Sequence, residues 1–231
     1  LELPNNKFDC GQCAFKSCAV ATLTPEQLVL LNNNSIETNI KKGEIILHAG
    51  SFNTSIIYLK SGYAKEFLDG KNNKSEILRI IRHHSYLALQ SLFGDKYNHY
   101  SYAALEDLKI CQIDIGVFKQ LIKENGNFAT EILQFVCKEN LYITKRIVSQ
   151  SHKNAEGRLA DVLICLADII FESHTFELPL SRQELADLIG LSRENTIRVL
   201  SKFKADGLIN VDGKKIEITN FELVQKIGKN G

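Results

Sequence analysis

Residues 180–200 read LSRQELADLIGLSRENTIRVL, and this stretch decides the architecture of the chain. It parses as helix, tight turn, helix. Ser181 followed three residues later by Glu184 forms a capping box, and Leu185, Leu188 and Ile189 give the first helix an inward face. Gly190 supplies the turn, where a positive φ is easy only for glycine. Ser192 caps the second helix, and Ile197, Val199, Leu200 and Phe203 are expected to hold that helix to the core. Arg193, Glu194, Asn195, Arg198, Lys202 and Lys204 remain outward. Arginine can grip guanine with two hydrogen bonds, glutamate can accept from cytosine, and lysine can neutralise phosphate. With Ser181, Arg182 and Ser192 at the helix N-termini, these residues form the expected contact set for double-stranded DNA.

Downstream, Leu208–Val211 and Lys214–Ile218 flank Asp212-Gly213, a strong hairpin signal between two β-prone runs. Gly207 closes the preceding helix. Helix, turn, helix and hairpin together read as a winged helix-turn-helix. Its basic footprint is local. Residues 192–204 carry four basic side chains and one acidic one, whereas residues 153–231 carry 11 basic and 12 acidic, and the net charge of the chain is +1. A globally cationic, histone-like binder is therefore excluded.

Upstream, Ala129, Leu133, Val136, Asn140, Ile143 and Ile147 alternate spacings of four and three, which is a coiled-coil seam. Phe128, Ile132, Phe135 and Tyr142 widen it into a stripe broader than one partner surface needs. The expectation is a dimerisation helix, with Asn140 setting register at some cost in stability. The plainer alternative is an amphipathic helix lying on its own sheet. A polar break at residues 149–154 marks the expected hinge, and residues 155–173 read as a further amphipathic helix.

From about Ile36 to Ile115, short β-type runs alternate with Gly, Asn and Ser punctuation. They include residues 44–47, 56–59, 63–68, 76–81 and 108–113, broken at Gly43, Gly50, Gly62 and Asp69-Gly70. Such spacing reads as a small sandwich or barrel. Before it, Thr24-Pro25-Glu26-Gln27 opens a short helix with a capping box. The expected class is α+β, with three parts: a cysteine-bearing leader and sensory β-roll (1–126), a dimerisation helix and hinge (127–152), and the winged helix-turn-helix (153–231). No apolar run is long enough to cross a bilayer, and Leu1 to Asp9 lack the apolar core of a signal peptide, so a cytoplasmic location is expected.

Over nearly its whole length the chain resembles the Crp/Fnr family of bacterial regulators. The resemblance rests on the glycines Gly43, Gly50 and Gly62, the run Glu156-Gly157-Arg158-Leu159-Ala160 after the long helix, and Ser192-Arg193-Glu194 with Arg198. It implies a cyclic-nucleotide-binding-like β-roll and a homodimer. It also implies a near-palindromic DNA site read by one recognition helix per major groove, with RNA polymerase as a further partner. It implies no catalytic residues. Ile197 departs from the family pattern, where a small residue is usual.

The effector is less legible. The cyclic-AMP branch of the family places a glutamate on the ribose and an Arg–Ser pair on the phosphate. Leu89 stands where the glutamate would fall, and no arginine occurs between Arg82 and Arg146. A buried phosphate would lack its charge-assisted partner, which argues against cyclic AMP. Haem ligation by His83, His84 or His99 is a second option, although His83-His84 reads as an exposed turn. The third is an iron–sulfur cluster. Cys10-x2-Cys13-x4-Cys18 is similar to the N-terminal cysteine cluster of the oxygen-sensing branch, with the second gap one residue short, and Cys111 falls where that branch has its fourth ligand. The resemblance implies a [4Fe-4S] cluster on Cys10, Cys13, Cys18 and Cys111. Four thiolates would also suit zinc, and a regulator with no cluster, sensing a small molecule or nothing, stays open.

Two other classes compete. A cyclic-nucleotide module attached to another activity fits poorly with the missing arginine and the helix-turn-helix. A cupin-type metal enzyme would need converging His and Glu ligands, and no His-x-His pair exists.

Overall fold

The structure, a computed structural model, describes residues 10–70 and 75–231. The expectation about Leu1 to Asp9 lies outside the described residues. After a short turn at Val20–Thr22, the chain forms α1 (Pro25–Asn33) and then β1 (Ser35–Ile40), β2 (Ile45–Leu47), β3 (Ser55–Ser61), β4 (Tyr63–Asp69), β5 (Ser75–Arg82) and β6 (Ser85–Leu87). One helical turn, α2 (Gln90–Phe93), precedes β7 (Ser101–Ala104) and β8 (Leu108–Asp114). The eight strands form two four-stranded sheets, ordered β1-β8-β3-β6 and β2-β7-β4-β5. This is the expected β-roll. β3 lies between β8 and β6, and its residues Ile56 to Lys60 are all buried, so burial is continuous along it rather than alternating.

The helical end of this region is pinned by side chains the sequence supplies in order. Asp114 caps α3 (Ile115–Glu124), its Oδ1 accepting from Val117 N at 2.9 Å. Asn125 then separates α3 from the long helix α4 (Gly126–His152). Its Oδ1 accepts from Phe128 N at 2.9 Å, and its Nδ2 donates to Thr22 O and Gln27 Oε1. The sequence predicts one helical period from Phe118 onward; the asparagine divides it, because its side chain competes for the backbone donors that a continuous helix would use. Phe128 and Ile132 are buried against Leu121, Phe118 and Tyr86, with Phe135 packed beside them.

α4 runs to His152, so the polar break expected at 149–154 narrows to Lys153-Asn154. Asn154 caps α5 (Ala155–Cys165), accepting from Glu156 N and Gly157 N. The helix expected through Ser173 ends sooner, in a single π turn at Leu166–Ile170. There follow β9 (Thr175–Glu177), α6 (Arg182–Ile189), α7 (Arg193–Ala205), β10 (Ile209–Asp212), β11 (Lys215–Ile218) and α8 (Phe221–Asn230). The wing is a three-stranded sheet ordered β10-β11-β9. β9 is only three residues long and gives no sequence signal, whereas α8 carries apolar residues at helical spacing, Phe221, Val224 and Ile227, that the sequence reading leaves unused. Contacts divide the chain into two units, one through Glu66 with Ile81–Asn140, the other comprising Phe67–Ile80 with Leu141–Gly231. Among the described residues no helix is long and apolar enough to cross a membrane.

Candidate nucleic-acid interface and thiol cluster

The α6–turn–α7 unit is built by its caps. Ser181 Oγ accepts from Glu184 N at 3.2 Å while Glu184 Oε2 accepts from Ser181 N at 2.8 Å. Such a cap is worth about 1 kcal/mol. Gly190 takes φ +74° and donates to Ala186 O, closing α6 in the left-handed conformation. Ser192 Oγ accepts from Asn195 N and opens α7. Leu185, Leu188, Ile189, Val199, Leu200 and Phe203 are buried, as expected. Two arginines brace the turn from behind. Arg146 Nη2 donates to Leu188 O at 2.7 Å and to Ile77 O at 2.6 Å, and Arg158 Nη1 donates to Gly190 O.

Two positions on α7 differ from the sequence reading. Thr196 is fully buried, with Oγ1 donating to Ser192 O at 3.0 Å. Its spacing from Val199, Leu200 and Phe203 carries that signal, which the hydroxyl masks. Ile197, expected to face the core, is 42% exposed. A four-residue step from Arg193 places it on the outward face, and Thr196 fills the inward position instead.

Arg193, Glu194, Ile197, Arg198 and Ser201 are all exposed on one side of α7. Arg198 Nη2 donates to Asn195 Oδ1 at 2.7 Å, one turn back on the same helix. The lysines are engaged elsewhere. Lys202 Nζ hydrogen-bonds the Glu156 carboxylate on α5, and Lys204 Nζ donates to Val211 O of the wing at 3.0 Å. Arg182 Nη2 donates to Gly213 O, so the first helix is also tied to the wing tip. Arg193, Glu194, Asn195 and Arg198 thus come together as a polar edge of α7, while Arg182, Lys202 and Lys204 are each tethered to backbone or carboxylate.

In the β-roll, Leu89 is buried within the apolar core, and the Ser101 hydroxyl accepts from Ala49 N at 3.0 Å. His83 and His84 occupy the β5–β6 turn, His84 with φ +66°.

The leader folds back on the outer face of β3 and β8. Tyr58 Oη donates to Phe15 O, Ser17 Oγ and Tyr86 Oη are hydrogen-bonded at 2.6 Å, and Cys10 N donates to Asn32 Oδ1. Cys10, Cys13 and Cys111 line one small cavity of about 30 Å³ together with Tyr58, Lys60 and Tyr86. Cys10 and Cys111 are buried, Cys13 is half-buried, and Cys18 is exposed and outside the lining. Lys60 is held by the Glu37 carboxylate. Burial pushes the Cys111 thiol up to about 11, against smaller opposing effects of Ser35 and Lys60. Among the described residues, no three His, Cys, Asp or Glu side chains are placed so that they could hold one metal ion.

Two family models match the chain: a cyclic nucleotide-binding domain over residues 37–125 and a Crp-like helix-turn-helix domain over residues 157–227. Among curated proteins, the chain is 26% identical over 230 residues to an anaerobic regulatory protein of Aggregatibacter actinomycetemcomitans, covering 96% of this chain and 88% of that one. It is 27% identical over 228 residues to the fumarate and nitrate reduction regulatory protein of Vibrio cholerae, covering 95% and 90%. Among solved structures, FixK2 from Bradyrhizobium japonicum superposes with a TM-score of 0.77 at 16% identity, over 84% of this chain and 96% of that one. A Crp/Fnr-family regulator from Eubacterium rectale superposes with 0.71 at 20% identity, over 90% and 96%. Fold and both matched domains agree: the chain belongs to the Crp/Fnr family, and is a DNA-binding transcription regulator rather than an enzyme.

Proposed function

We propose that the protein is a homodimeric, cytoplasmic regulator that reads a near-palindromic double-stranded site with one α7 per half-site and responds to oxygen or redox state. The observation that carries the DNA reading is the edge formed by Arg193, Glu194, Asn195 and Arg198 on a helix capped at Ser192. Phosphate contacts fall to Ser181, Arg182, Ser192, Lys202 and Lys204 around that edge. Dimerisation is supported by the division of labour on α4. Phe128 and Ile132 are consumed by the chain's own β-roll, whereas Leu133, Val136, Asn140, Ile143 and Ile147 are exposed along the seam and Ala129 is half-buried. The family resemblance implies RNA polymerase as a further partner.

The sensing reading rests on Cys10, Cys13 and Cys111 sharing one cavity and on relatives named as anaerobic regulators. The donor set fits a [4Fe-4S] cluster by its chemistry, four thiols with two of them buried, and Cys18 must turn inward to complete it. Such a cluster would supply oxygen lability. The chain's own residues do the rest. Tyr58 and Ser17 anchor the leader over β3, and Cys111 on β8 sits in the same core as Phe128 and Ile132 of α4. Release of the leader would therefore reach the packing of the dimer helix, the route by which a local change would be passed to the interface. The second reading, a regulator sensing another small molecule or none, is favoured by Cys18, which is exposed and outside the cavity that Cys10, Cys13 and Cys111 line.

The test is anaerobic purification with a visible spectrum and iron and sulfide analysis of wild type and Cys111→Ser, paired with a salt-dependent gel shift on genomic fragments. A brown wild type and colourless variant are expected. A wild type without stoichiometric iron even after reconstitution removes the cluster, and a gel shift indifferent to sequence removes the specific regulator.

A further inference from the structure

We propose that Ile197 reads the 5-methyl group of a thymine in the major groove, making this side chain a specificity determinant of the DNA site. The inference deepens the reading of α7 as the base-reading helix and rests on it.

Ile197 does not serve the core. Thr196, Val199, Leu200 and Phe203 complete the inward face of α7, and Ile197 is left 42% exposed. A scattered apolar side chain on a surface needs no explanation. This one stands within the face that carries Arg193, Glu194, Arg198 and Ser201, on a helix capped at Ser192. It also lines a hollow of about 230 Å³ with Arg182, Leu200, Ser201, Lys204 and Val211. Its lining is therefore apolar at Ile197, Leu200 and Val211, and cationic at Arg182 and Lys204. That combination suits a duplex whose phosphates meet Arg182 and Lys204 while a base edge enters between them.

The chemistry of the groove then narrows the partner. In the major groove the four bases present hydrogen-bonding groups, cytosine adds only a C–H at ring position 5, and thymine alone carries a methyl there. Isoleucine can satisfy no donor or acceptor, so a cytosine amine or guanine carbonyl pressed against it would lose water without compensation. A thymine methyl loses nothing and gains apolar contact. The β-branch restricts χ1 of Ile197 on the helix, so little rotamer freedom is given up on docking. The same contact is open to 5-methylcytosine, which carries its methyl at the same ring position.

The experiment uses the full chain. Preferred duplexes are selected from a randomised pool, and each thymine of the preferred half-site is then replaced by deoxyuridine, which removes only the methyl. The expected result is a loss of about fourfold in Kd at one symmetry-related thymine, the worth of one buried methyl-sized group. Ile197→Ala should abolish that loss, and Ile197→Val, which keeps a branched apolar tip, should retain it. Cytosine at that position should bind more weakly than 5-methylcytosine for wild type and equally for Ile197→Ala. The proposal is overturned if every deoxyuridine duplex binds wild type as tightly as its parent, or if the loss persists in Ile197→Ala. A pool that yields no preferred sequence overturns the base-reading role of α7 itself, and with it this assignment.

Discussion

Arg198 and Asn195 form a side-chain pair on the exposed face of α7, the guanidinium donating to the amide oxygen at 2.7 Å. The pair holds the guanidinium at the reading edge before any base arrives. A pre-positioned fork loses less freedom on binding than a free side chain. Arg198→Ala is expected to cost about 1–3 kcal/mol on the preferred site and to relax selectivity at one base pair, with little change on unrelated DNA. Asn195→Ala should cost less and leave the same base preferred. Competition binding against single-base variants checks both; equal loss on specific and unrelated duplexes would remove Arg198 from base reading.

Lys202 is bonded to the Glu156 carboxylate, with both side chains well exposed. Exposed pairs contribute little to stability, so the lysine can be transferred to a phosphate at small cost. Lys202→Ala should weaken all sequences alike and reduce the slope of log K against log salt by about one unit. Glu156→Gln should strengthen binding to all sequences. Affinities at several salt concentrations decide it: an unchanged slope in Lys202→Ala would show that the lysine meets no phosphate.

Val136 and Ile143 are exposed on α4, four and eleven residues beyond the buried Ile132. If a second copy covers them, Val136→Asp or Ile143→Asp buries an unpaired charge and should dissociate the dimer. The fold of each chain should survive, because neither side chain belongs to the core. Sedimentation with circular dichroism checks this, and a variant that stays dimeric would place the interface elsewhere.

Cys18 and Cys111 should differ in reactivity once no cluster is present. The thiolate is the nucleophile, and burial raises the Cys111 thiol to about 11, so it stays protonated at neutral pH. Exposed Cys18 should be alkylated first at pH 7.5, and labelling of Cys111 should rise only as pH climbs toward its pKa or as the leader detaches. Peptide mass spectrometry after timed alkylation checks the order. Equal rates would mean that the leader does not cover β8.

Gly62 sits between β3 and β4 with φ +82°, and a Cβ there would stand 2.7 Å from Leu108 Cβ. Gly43 has φ +85° but nothing within 4 Å of the same added atom. Gly43→Ala should cost about 1–2 kcal/mol from backbone conformation alone. Gly62→Ala should cost more, because the clash lies against a buried strand. Thermal unfolding of the two variants separates the conformational part from the steric one.

The amino-acid sequence by itself determined the local devices: the capping boxes at Thr24 and Ser181, the left-handed Gly190, the hairpin at Asp212-Gly213 and the periodic faces of α4 and α6. Each depends on residues within a turn or two of one another, so chain order alone specifies them. Tertiary structure decided what sequence spacing cannot carry. Thr196 and Ile197 are neighbours, and which of the two faces the core depends on the surface that α7 packs against; that choice turned the isoleucine outward. The tethering of Lys202 to Glu156 and the gathering of Cys10, Cys13 and Cys111 around one cavity bring together groups tens of residues apart, as only the packing of separate elements can. The division of α3 from α4 at Asn125 belongs with them, because that side chain is held by Thr22 and Gln27 from the far end of the chain.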